Sequence, residues 1–110
     1  MSGTDLTRHP AHVAPLIRRA RERIEDRAHW TRYTLARDKH GRACDPRSNA
    51  AVSWCGVGAL YAEAETAADR VGAEVLVAAI GASPLSHVND TNGHQAVLDL
   101  FDRVLEENAR

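Results

Sequence analysis

Cys55 is the side chain with the most reactive chemistry on offer, because a thiolate is a potent nucleophile. A thiol needs a base to ionise it, and the base needs an acceptor to fix its tautomer. His87 or His94 can serve as the base, and Asn89 or Asp90 as the acceptor. Those parts would make a small cysteine-dependent hydrolase or transferase. No family-specific local spacing joins them, however. Free cysteine is also among the most buried residue types and usually behaves as a small hydrophobe. Asp90 or Thr91 reads equally well as the cap of a helix opening at His94.

Cys44 and Cys55, with six histidines, raise the question of a metal. No CxxC, HxxxH or HExxH spacing occurs, so neither a metal site nor another cofactor is expected. Trp30 and Trp54 are the largest apolar groups in the chain. In a core of small residues they serve as anchors; on the surface they would mark a binding site.

The elements that position these groups follow from periodicity. Val52, Trp54, Cys55, Val57, Ala59, Leu60 and Tyr61 are apolar all round a helical axis, which predicts a buried central helix over 50–71. Ser48 or Asn49 would cap it, and Gly72 would punctuate its end. Val13, Leu16, Ile17, Ala20 and Ile24 form one stripe of a first helix over 12–27, with Pro15 tolerated in its first turn. Tyr33–Ala36 and Ala43–Cys44 read as arms of a short hairpin about an Asp38–Gly41 turn. A third helix is expected over 73–80, stopped by Gly81 and Pro84, then a loop over 85–93. Val97, Leu98, Phe101, Val104 and Leu105 mark a last amphipathic helix over 94–107. The expected fold is mainly α (α+β): a small four-helix domain built around that central helix, with a short two-stranded hairpin. Residues 1–11 are expected to be a flexible segment, and 12–110 a single domain.

Composition narrows the function classes. Leu, Ile, Val and Phe supply 22 of 110 residues and alanine 19, a composition that favours compact helices. No apolar run reaches the roughly 18 residues of a membrane span, and the first residues lack a secretory stretch. A cytoplasmic protein without membrane contact is expected. Net charge is −1, yet residues 1–50 carry +5 and residues 51–110 carry −6. Attraction between the halves explains this, as does a basic surface for nucleic acid or an acidic partner. Arg18 with Glu22 and Arg21 with Glu25 are helical i,i+4 pairs, so nucleic acid is the less favoured partner.

Trp54-Cys55-Gly56-Val57-Gly58-Ala59-Leu60, together with the later Asn89-Asp90 step before the closing helix, resembles a family of small uncharacterised bacterial proteins, a domain of unknown function. The similarity extends over about residues 12–106. It implies a shared fold, and the family brings no established activity. The resulting expectation is a non-catalytic interaction or regulatory module that meets an unidentified protein partner or itself. The alternative is the cysteine-dependent enzyme using Cys55, His87 or His94, and Asn89 or Asp90.

Overall fold

Apolar residues spaced three or four apart dictate the two helices that hold the core together. In α1 (Val13–Arg23) that stripe is Val13, Leu16, Ile17 and Ala20, all buried. In α5 (His94–Asn108) it is Val97, Leu98, Phe101 and Val104. Between them lie α2 (Gly56–Glu63), α3 (Ala67–Gly81) and α4 (Leu85–Asn92). The computed structural model describes residues 13–108. The expected flexible segment over 1–11, with His9, and His12 beside it, falls outside them.

The fold is mainly α with a small two-stranded antiparallel sheet. Strand β1 (Ala36–Arg37) pairs with β2 (Ser53–Trp54), placing Ala36 opposite Trp54 and Arg37 opposite Ser53. The Asp38–Gly41 turn forms as the sequence predicts: the Gly41 N–H donates to the Asp38 carbonyl at 2.9 Å, and Cys44 N–H to the Ala36 carbonyl at 3.0 Å. The Asp38 carboxylate accepts the N–H groups of His40 and Arg42, and these, Arg42 foremost, hold its carboxyl below the usual range. The expected second arm is reduced to one bridge, Arg37 with Ala43. A partner 17 residues along, Ser53–Trp54, takes the ladder instead.

Three further expectations are corrected. The central helix over 50–71 is a strand, a helix and the start of another. Trp54 is extended, Cys55 caps α2, and Ala64 closes it. An all-round apolar run fits a buried strand followed by a helix as well as it fits one helix. Gly72 does not punctuate: α3 begins earlier, capped by the Thr66 hydroxyl on the Asp69 N–H, and runs through Gly72 to Gly81. The loop over 85–93 is helix α4, so the described residues form five α-helices where four are expected. Asp90 and Thr91 therefore lie inside α4 and do not cap α5.

Among the described residues no single helix is long and apolar enough to cross a membrane; α3 and α4 reach that length only jointly, across a 60° bend.

Candidate functional site

Two of the residues singled out for chemistry, Asn89 and His94, meet at Trp30. A single 3₁₀ turn, Arg27–His29, is capped by the Asp26 carboxylate on the Ala28 N–H and delivers Trp30 to the seam between β2 and α4. There the Thr31 N–H donates to the Trp54 carbonyl at 3.0 Å. The indole N–H of Trp30 donates to Asn89 Oδ1 at 2.7 Å. Its ring lies 5.3 Å from that of His94, tilted by 43°.

Asn89 is wholly buried, at 0% exposure, although it sits on a short helix. Its Oδ1 accepts a second bond from the Gly56 N–H at 2.9 Å, which satisfies an orphan donor of the α2 first turn. Its Nδ2 donates to the Thr31 carbonyl and to Asp90 Oδ1, both at 3.1 Å. An asparagine side chain offers two donors and room for two acceptances, and all four are used. Asp90 Oδ1 also accepts the Tyr33 N–H at 3.0 Å. One amide thus ties α4 to the Trp30 segment and to the start of α2.

Cys55 stands at the α2 N-cap, 5% exposed, with its Sγ accepting the Gly58 N–H at 3.2 Å. Burial pushes its thiol up, the Asp90 charge adds to the rise, and the Gly58 and Val57 N–H groups offset part of it. His94 is buried, and its Nε2 lies 2.6 Å from the Ile24 carbonyl. A carbonyl only accepts, so that nitrogen carries the proton. His87 lies exposed on α4, apart from this knot. No hydrogen bond joins Cys55 to a histidine among the described residues. Asn89 and His94 thus meet at Trp30, Asp90 bonds Asn89 and lies within electrostatic reach of Cys55, and His87 joins none of them.

Trp54 has the other aromatic neighbourhood. Its indole N–H donates to the Pro46 carbonyl at 2.9 Å, and the Arg23 guanidinium lies 4.5 Å over its ring. Glu63 holds Arg23 at 2.7 Å and Arg19 at 3.2 Å, so this open groove of about 620 Å³ is neutralised from within. Both tryptophans are half-buried. Arg21 bridges α1 to Asp102 of α5 at 2.6 Å and also meets Glu25, as expected from the sequence, whereas Arg18 forms no ion pair among the described residues. No cluster of three or more metal-ligating side chains occurs among them.

Three participants escaped the sequence reading. Glu63, Thr31 and Tyr33 carry no local signal: the first two act through residues far along the chain. Tyr33 adopts φ +73°, a conformation for which glycine or asparagine would have been the sign.

No curated protein and no solved structure matches the chain. A family model described as Family of unknown function (DUF6197) matches residues 8–107, and the chain belongs to that family.

Proposed function

We propose that this domain is a non-catalytic interaction or regulatory module, working in a reducing bacterial cytoplasm through a protein partner or self-association. The observation that carries the reading is the saturation of Asn89. An acceptor that orients a catalytic imidazole needs a free lone pair, and both acceptances of Asn89 go to the Trp30 indole and the Gly56 N–H. Its neighbours support the same reading: Cys55 is buried and occupied as a cap, and His94 is spent on Ile24. The free thiols of Cys44 and Cys55 suit a reducing setting. The outer face of α3 presents Val71 at 47% and Val75 at 63% exposure, apolar surface of the kind that meets partners.

Alkylation of the native protein with iodoacetamide between about pH 6 and 8, read by peptide mass, tests the reading. Cys44, half-buried, is expected to react first, and Cys55 only on unfolding. Rapid labelling of Cys55 that slows in His87→Ala or His94→Ala would establish a nucleophile and overturn the module reading. The thiol also links stability to pH. Its pKa is raised on folding, so the stabilisation is complete below the ordinary thiol value of the unfolded chain and is lost as pH rises through the higher folded value. Cys55→Ala should remove that part of the alkaline loss.

A further inference from the structure

We propose that the surface around Trp30 and Tyr33 docks an acidic segment of a partner protein, with Tyr33 as the aromatic anchor. The proposal rests on the interaction-module reading and names the chemistry of the partner. Two independent observations carry it.

The first is backbone strain in the service of an exposed ring. Tyr33 holds φ +73° and the residue is 69% exposed. A bulky L-residue is disfavoured there, and glycine would sit without strain. The Asp90 carboxylate holds the Tyr33 N–H at 3.0 Å and is itself held by Asn89, whose place is fixed by the whole seam. A well-anchored clamp therefore maintains a disfavoured backbone while the core makes no use of the side chain. A costly conformation retained for a group facing solvent points to a use outside the chain.

The second is a group of guanidinium side chains outside any ion pair, with the one nearby carboxylate, Asp90, engaged by the Tyr33 N–H and Asn89. The Arg32 guanidinium lies 5.0 Å from the Trp30 ring centre and 5.7 Å from that of Tyr33, and Arg27 lies 5.8 Å from Trp30. Arg37 is braced by Thr31 Oγ1 and by the carbonyls of Arg32 and Gly41. Among the described residues no carboxylate pairs with Arg27, Arg32 or Arg37; Arg18, Arg47 and Arg103 also lack one but lie elsewhere, whereas Arg19, Arg21, Arg23, Arg42 and Arg70 each have at least one. Guanidinium groups pair with carboxylates through planar forks, and tyrosine with arginine is the composition of interface hot spots.

A protein segment fits better than a nucleic acid. Single strands are gripped by successive stacking rings along a basic track, and here one ring is freely exposed. Residues 51–110 carry −6, so a long phosphate backbone leaving this patch would meet repulsion that a short acidic peptide avoids.

The test is titration of the ¹⁵N-labelled full chain with a blocked glutamate-rich decapeptide carrying two leucines, and separately with decathymidine, at about 50 and 200 mM salt. Saturable peptide binding is expected, weaker at the higher salt, with amide shifts centred on residues 27–37 and on 90. Tyr33→Gly should bind at least about fivefold more weakly while melting no earlier than the wild type, because glycine accepts this backbone. Arg27→Gln should weaken binding about threefold, and decathymidine should bind at least about tenfold more weakly than the peptide. Absence of saturable peptide binding at millimolar concentration, or shifts centred elsewhere, would overturn the proposal. So would unchanged binding or an earlier melt in Tyr33→Gly. Decathymidine binding as tightly as the peptide would reassign the surface to nucleic acid. None of these outcomes depends on Cys55, so the thiol test judges the module reading separately.

Discussion

The seam between β1, α2 and α4 and the outer face of α3 use the same residue types to opposite ends. At the seam, Gly58 lies so close to the chain that a Cβ would stand 1.8 Å from the Leu35 carbonyl oxygen. On α3, a Cβ on Gly72 would meet nothing within 4 Å. The seam buries an asparagine with every bond made; the α3 face leaves Val71 and Val75 in solvent. Uniqueness in this domain therefore resides in a polar junction, where a misplaced group loses several partners at once. The outer α3 face constrains little and is free to serve other ends.

Substitution at the seam gives the largest effect. Gly58→Ala should cost at least about 3 kcal/mol, the upper range for overpacking, since the clash is with backbone and no rotamer relieves it. The Leu35 carbonyl it would displace also accepts the Cys55 N–H at 3.1 Å, so β1 and the α2 cap would shift together. Denaturant unfolding measures this directly. A midpoint within error of the wild type would mean that the strand and helix part easily, and the contrast with α3 would collapse.

Asn89→Ala should follow at about 3 kcal/mol, because the Trp30 indole, the Gly56 N–H and the Thr31 carbonyl lose their partner in a buried setting. Asn89→Asp separates the two halves of the amide. It keeps the acceptor for Trp30 and Gly56 but sets an oxygen against the Thr31 carbonyl and the Asp90 carboxylate. It should therefore also destabilise, and recover on acidification as the new carboxyl is protonated. Unfolding curves at about pH 3 and about pH 7, on either side of the ordinary aspartate value of about 3.9, distinguish the variants. Equal stability of Asn89→Ala and the wild type would show the seam to be held by packing alone.

This contrast also explains what was legible in the sequence. The 3.6-residue stripes of α1 and α5 were read to within a few residues, 12–27 against Val13–Arg23 and 94–107 against His94–Asn108, because each buries one face. The Asp38–Gly41 turn was legible from its own side chains. Elements built on distant partners were not. The Ser53–Trp54 strand exists because Ala36–Arg37 lies beside it, and nothing within 50–63 reveals that. Helix α4 was hidden by its polar run Ser86–Asn92, whose buried asparagine makes sense only against Trp30 and Gly56. Gly72 looked like a break because glycine is a breaker on average, and α3 carries it through good helix formers on both sides. Asn89, Asp90, Cys55 and His94 lie near one another and His87 does not; the hydrogen-bond partners that give Asn89 and His94 structural work are too far along the chain to be read.

Trp54, at the rim of the seam, should give an intermediate effect. It is half-buried, donates to Pro46 and lies beneath Arg23, so Trp54→Ala should cost about 2 kcal/mol, below the 3–5 typical of a fully buried tryptophan. A loss of about 4 kcal/mol or more in the denaturant midpoint would place Trp54 among the core residues and extend the seam to the Glu63 groove.

The smallest effect is expected on α3, with the opposite sign. Gly72 lies inside a helix of 15 residues, its φ is ordinary, and no neighbour occupies the space a methyl group would fill. Glycine in a helix interior gives the unfolded chain freedom that alanine does not, so Gly72→Ala should stabilise by roughly 0.5–1 kcal/mol. Urea midpoints at two protein concentrations, micromolar and near-millimolar, read both the gain and its setting. At low concentration the gain should appear in full, because only this helix is affected. If it shrinks or reverses at high concentration, the methyl group is obstructing a second copy seated on Val71 and Val75. The face that looks unconstrained in one chain would then be constrained by its neighbour, and the contrast with the seam would hold only for the isolated molecule.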